Sequence, residues 1–130
     1  MIYLDTSAFL KLVWAEAETP ALRRMLGERS DEHAVSSTLL AVETRRAAIR
    51  QGGGAVPRAD FALEKVGLIE MSRAVAESAG RLPDPNLRSL DAIHLATALL
   101  LEGSVSTFVT YDKRLGTVAE SLGLPVVSPV

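Results

Sequence analysis

Apolar positions along the chain switch repeatedly between two periods. Met1-Ile2-Tyr3-Leu4 is an unbroken apolar run that fits a buried strand, and Ala8 to Trp14 directly after it has helical spacing. Thr19 to Arg29 reads as a second helix, with Thr19 as N-cap, Pro20 at the first helical position and Gly27 blurring its end. His33 to Ser36 fits a short strand. Ser37 then opens a long helix through Gln51, closed by Gly52-Gly53-Gly54. Pro57 restarts a helix to about Val66. Leu68 to Met71 reads as a strand and Arg73 to Leu82 as a helix, and Pro83 and Pro85 punctuate a loop. Ser89 caps a helix predicted from Leu90 to Glu102, ended by Gly103. Val105 to Tyr111, rich in β-branched and aromatic residues, predicts a strand. Asp112 to Leu122 returns to helix, Gly123 stops it, and Val126-Val127 forms a last short strand.

Strands separated by helices predict right-handed crossovers and a parallel, doubly wound sheet. Ligands of such sheets bind beyond the carboxyl ends of the strands. Asp5 ends the first predicted strand and Asp112 follows the strand over 105–111, so both are expected on that edge.

Size and composition narrow the picture. The chain has 130 residues, enough for a single domain over 1–130. A domain near this size buries roughly 65–70% of its unfolded surface, so folding needs no metal or disulfide staple. The apolar fraction of 48% is that of a globular protein, and the absence of cysteine excludes disulfide frameworks and thiolate zinc sites. The N-terminal stretch carries Asp5 and Lys11 and makes a poor signal peptide. The most apolar segment, Ala92 to Leu101, contains His94 and falls far short of the roughly 20 residues that span a membrane. A soluble cytoplasmic protein is expected. The net charge of −2 means that any nucleic acid must be held by local patches or by metal.

Four acids carry the candidate chemistry. Asp5 and Asp112 each stand between a strand and a helix, where a carboxylate also serves as an N-cap. Asp91 lies in the first turn after Ser89, where the helix dipole favours a negative charge by about 0.3–1 kcal/mol. Glu43 is different. Its neighbours at i−4, i−3 and i+4 are Leu39, Leu40 and Ala47, so it shares a largely apolar face. A carboxylate there is costly unless it is paired, for instance with Arg46 on the same helix, or faces something positive. Converging carboxylates suit a hard divalent ion, Mg²⁺ or Mn²⁺ rather than zinc. Without such an ion they raise one another's pKa.

Taken in order, the segments Ile2-Tyr3-Leu4-Asp5-Thr6-Ser7-Ala8, Glu43 in its helix, Ser89-Leu90-Asp91-Ala92-Ile93-His94-Leu95-Ala96-Thr97-Ala98 and Val109-Thr110-Tyr111-Asp112-Lys113-Arg114-Leu115 resemble PIN domains. Among these, they are most similar to the stand-alone VapC toxins of bacterial toxin–antitoxin pairs. The resemblance covers essentially the whole chain. It implies a three-layer α/β/α sandwich with a central parallel sheet, and endonucleolytic cleavage of structured transfer or ribosomal RNA by metal-activated water. Asp5, Glu43, Asp91 and Asp112 take the family's metal-binding and catalytic positions, with direct ligation of Mg²⁺ (or Mn²⁺) expected from Asp5, Asp91 and Asp112. Thr6, Ser7 and Thr110 occupy supporting hydroxyl positions. The resemblance further implies a homodimer, neutralised by a small VapB-like antitoxin in a heterotetramer or larger assembly, whose C-terminal segment enters the acidic groove.

Other residues carry weaker expectations. Arg46, Lys113 and Arg114 are candidate RNA-phosphate contacts, and solvated helix faces explain them equally well. His94 reads as a hydrogen-bonded structural histidine, with contact to phosphate or to Asp91 as the alternative. Asp84, between two prolines, reads as a turn residue. Two other functional classes stand beside the nuclease. A phosphatase of the haloacid-dehalogenase type needs a second aspartate two residues after the first, where this chain has Ser7. A non-enzymatic, Mg²⁺-binding receiver-like signalling domain needs a phospho-acceptor after a central strand, and Leu68-Ile69-Glu70-Met71-Ser72 offers no aspartate.

Overall fold

Strands and helices alternate along the chain, but the strands do not assemble in sequence order. The computed structural model describes residues 1–101 and 103–130. In chain order it contains β1 (Ile2–Leu4), α1 (Thr6–Val13), α2 (Thr19–Glu28), β2 (Ala34–Ser37), α3 (Leu39–Arg50), α4 (Val56–Leu63), β3 (Gly67–Ile69), α5 (Arg73–Gly80), α6 (Ser89–Leu99), β4 (Thr107–Val109), α7 (Lys113–Ser121) and β5 (Val126–Val127). The sheet runs β3-β2-β1-β4-β5, with every pairing parallel. The chain winds outward from β1 through β2 to β3, then crosses back to β4 and on to β5. The order therefore reverses between β1 and β4, and the crevice at that switch point is where doubly wound sheets bind ligands.

β1 is central and buried on both faces, which is why its sequence is continuously apolar rather than alternating. Period-two geometry sends Ile2 and Leu4 to one side and Tyr3 to the other. Ile2 and Leu4 pack with Ala8, Phe9 and Val13 of α1, Leu22 of α2, Leu40 and Ala48 of α3, and Ala59 and Leu63 of α4. Tyr3 packs with Val35, Phe108, Leu95 and Ala98 of α6, and Leu115 and Ala119 of α7. Helices thus cover both faces, giving the three-layer α/β/α arrangement.

Several local expectations are corrected. Thr19 does not cap α2: it is the first helical residue, Glu18 holds the cap position, and the Thr19 hydroxyl donates to the Lys11 carbonyl at 2.8 Å, tying α1 to the start of α2. Ser37 belongs to β2, and α3 begins two residues later, where the Ser37 hydroxyl accepts the Leu39 amide at 3.1 Å. Arg88, not Ser89, is the N-cap residue of α6. That helix ends at Leu99; the predicted last residue, Glu102, lies outside the described residues. The strand predicted over 105–111 shortens to three residues, because its neighbour β1 offers only Ile2–Leu4 for pairing. Asp84 is a turn residue, accepting the Asn86 amide at 2.9 Å. Among the described residues no helix is long and apolar enough to cross a membrane.

Candidate active site

The β1–β4 register pairs Leu4 with Val109, so the next residues of both strands, Asp5 and Thr110, leave the sheet side by side at its carboxyl edge. Asp5 adopts an extended backbone and caps α1, its Oδ1 accepting the Ala8 amide at 2.9 Å. Capping uses only part of the carboxylate. Ser7 Oγ lies 2.7 Å from Oδ1 and 2.9 Å from Oδ2, and Thr110 Oγ1 donates to Oδ2 at 2.6 Å. Both hydroxyls are oriented by backbone amides behind them: Tyr111 N–H donates to Ser7 Oγ at 2.9 Å and Asp112 N–H to Thr110 Oγ1 at 3.1 Å. With a lone pair of each oxygen so occupied, each hydroxyl proton turns toward Asp5. Burial pushes the Asp5 carboxyl's pKa up, and the donors from Thr110, Ala8 and Ser7 offset only part of that.

Glu43 arrives from the middle of α3. Its Oε1 accepts the Thr6 hydroxyl at 2.6 Å and lies 2.9 Å from His94 Nε2. Partial burial works to raise its pKa, but the His94 and Thr6 hydrogen bonds outweigh burial and hold it below the usual glutamate range. The pairing with Arg46 is not made: Arg46 is exposed, and the neighbouring Arg45 instead pairs with Asp60 of α4 at 2.9 Å.

Asp91, in the first turn of α6, and Asp112, the N-cap of α7, are drawn together from opposite ends of one loop-helix-strand unit. Asp112 Oδ1 accepts the Leu115 amide at 3.1 Å. The exposed Arg88 reaches both acids, at 3.5 Å from Asp91 and 3.8 Å from Asp112. The Asp91 carboxyl sits above its ordinary pKa, first through burial and then through repulsion from Asp112 and Glu43; the Arg88 guanidinium opposes the shift. Repulsion of this kind requires the three acids to share one electrostatic neighbourhood.

The donor chemistry fits a hard cation: the carboxylates face one edge, two of them already lean on a guanidinium, and no thiolate competes. Among the described residues, however, no three acid or histidine side chains are gathered tightly enough to form a coordination set by themselves. A cavity of about 590 Å³ bounded by α1, α2 and α4 is lined by residues such as Phe9, Val13, Leu26 and Phe61 and contains none of these acids.

Comparison with known proteins decides the family. The PIN domain family model matches residues 2–121. The chain belongs to the PIN-domain family. It is 42% identical over 132 aligned positions to Ribonuclease VapC35 of Mycobacterium tuberculosis, covering 99% of this chain and 97% of that one. It is 41% identical to Ribonuclease VapC46 of the same species, covering 98% and 97%. Among solved structures, VapBC2 of Rickettsia felis bound to a promoter DNA fragment superposes with a TM-score of 0.75 at 15% identity, covering both chains completely. VapC20 of Mycobacterium tuberculosis, a sarcin–ricin-loop-cleaving toxin, superposes with a TM-score of 0.72 at 20% identity, covering 99% of this chain and 100% of that one.

In this PIN domain the structure brings Asp5 together with Ser7 and Thr110, Glu43 with Thr6, and Asp91 with Asp112 through Arg88. Arg46, Lys113 and Arg114 are all exposed. Sequence reasoning missed two participants. Arg88 was legible only as a basic residue three positions before Asp91. Tyr3 looked like one more core residue, yet its hydroxyl lies 2.8 Å from His94 Nδ1. His94 is hydrogen-bonded and buried, as expected, but its partner in the site is Glu43 and not Asp91.

Proposed function

We propose that this chain is a VapC-type toxin, a metal-dependent endoribonuclease that cleaves structured RNA in the cytoplasm. The observations that support the reading are Asp5 at the carboxyl end of β1, held there by Thr110 beyond the neighbouring β4, and Arg88 reaching both Asp91 and Asp112. Relatives more than 40% identical over nearly the whole chain and named ribonucleases support it.

Asp5, Asp91 and Asp112 would hold Mg²⁺, or Mn²⁺, in place of the Arg88 guanidinium. When bound, the ion supplies positive charge to a phosphoryl oxygen and makes a nearby water more acidic. The protein's own part is positional. Ser7 and Thr110 fix the Asp5 carboxylate, Thr6 and His94 fix Glu43, and an ionised Glu43 accepts a hydrogen bond from the water aimed at phosphorus. Exposed Arg46, Lys113 and Arg114 supply the local positive charge that the net charge of −2 does not. The same reading includes a homodimer and a small VapB-like antitoxin; structural neighbours such as a toxin–antitoxin complex from Klebsiella pneumoniae support the antitoxin partner.

Purified protein freed of any partner tests this. It should cleave RNA with Mg²⁺ or Mn²⁺, stop on chelation, and lose on the order of 100-fold or more in rate on Asp91→Asn. Cleavage that survives both chelator and Asp91→Asn removes the mechanism.

A further inference from the structure

We infer that His94 is a positioning residue for the Glu43 carboxylate, held in its Nε2–H tautomer by the hydroxyl of Tyr3. The inference rests on the reading above, in which Glu43 orients a water. An ionised carboxylate only accepts hydrogen bonds, so the ring nitrogen 2.9 Å from Glu43 Oε1 must carry the proton. In a singly protonated imidazole the other nitrogen, Nδ1, is then an acceptor. It needs a donor, and the Tyr3 hydroxyl at 2.8 Å supplies one.

Tyr3 is built for that task. It lies in the central strand with no exposed surface, stacks on Phe108 at a ring separation of 5.2 Å and an angle of 6°, and meets the His94 ring edge-on at 5.8 Å. Its ring has little freedom to turn away. Burial also pushes the Tyr3 hydroxyl well above its ordinary pKa, so it keeps the proton it donates. His94 is 1% exposed and shares Oε1 with the Thr6 hydroxyl, which donates at 2.6 Å.

The consequence lies in which carboxylate oxygen remains. Two donors converge on Oε1, whereas Oε2 has no hydrogen-bond donor among the described residues. The relay therefore rotates Glu43 so that Oε2 is the oxygen offered to water. A histidine serving only to fill the core would not need an acid of the site as its partner. One that orients an outer carboxylate does, and losing such an orienting partner typically costs about 10- to 100-fold in activity.

The test reads tautomer and kinetics separately. Ring-nitrogen NMR is tractable because the chain has only two histidines. In wild type, His94 should show the Nε2–H pattern, and Tyr3→Phe, which keeps the stacked ring, should weaken or scramble it. Tyr3→Phe and His94→Leu should lower kcat by roughly 10- to 100-fold with KM for RNA unchanged, and His94→Gln, which keeps an N–H donor, should recover part of the loss. An Nδ1–H signal for His94 in wild type, or wild-type kcat in Tyr3→Phe and His94→Leu, overturns the inference. If His94→Leu does not fold, Tyr3→Phe alone decides between the two outcomes. Wild-type protein that shows the Nε2–H signal but cleaves no RNA would sink the nuclease reading while the relay stands.

Discussion

Thr110 Oγ1 and Asp5 Oδ2, 105 positions apart in the chain, lie 2.6 Å apart at the mouth of the crevice. The same hydroxyl accepts the Asp112 amide, so one side chain links two candidate metal ligands at adjoining strand and helix ends.

Thr110→Val keeps the shape and removes that hydroxyl. It leaves Asp5 short of a donor in a buried setting and the half-buried Asp112 amide without its acceptor. We predict a loss of about 1–3 kcal/mol in chemical denaturation, largely recovered by Thr110→Ser. Equal stabilities for the Val and Ser variants would show that the bond adds nothing to the fold.

Asp5→Asn should alter the pH dependence of stability as well as activity. The folded-state pKa of Asp5 is raised above its ordinary 3.8, so the protonated form favours folding. That contribution is complete below pH 3.8 and lost as pH climbs through the folded pKa. Asn stays neutral throughout. In metal-free buffer the variant should therefore gain on wild type as pH rises above 3.8. Urea midpoints across that range check it, and a gap that widens as pH falls would contradict a strained carboxylate.

Arg88→Ala removes a cation that reaches both Asp91 and Asp112. Because its side chain is 77% exposed and its contacts are 3.5 and 3.8 Å long, stability should change by less than about 0.5 kcal/mol. The Asp91 carboxyl, already raised, should rise further once Arg88 no longer opposes Asp112 and Glu43. Carboxyl NMR titration without metal reads this directly, and an unchanged Asp91 would mean that Arg88 is only a solvated neighbour.

Much of the architecture is encoded in local patterns. The apolar run of β1, the caps at Asp5 and Asp112, and the glycine stop after α7, where Gly123 has a φ of 87°, each follow from short-range sterics and hydrogen bonding. Misplaced details share a cause. Thr19 and Ser37 have the chemistry of helix caps, but tertiary partners claimed their hydroxyls or their backbone first. Arg46 has the right spacing to pair with Glu43 along one helix, yet a weak surface pair cannot compete with the buried donors His94 and Thr6.

The linear order of residues determined which side chains are chemically able to bind a hard cation, and the alternation that places Asp5 and Asp112 at strand ends. Those properties depend only on neighbours a few positions away. Tertiary structure alone decided that Glu43 meets His94 and Thr6, that Tyr3 reaches His94 from the sheet, and that Arg88 spans two acids. The reason is topological: the reversal of strand order between β1 and β4 joins segments up to about a hundred residues apart, and no local period encodes which of them will touch.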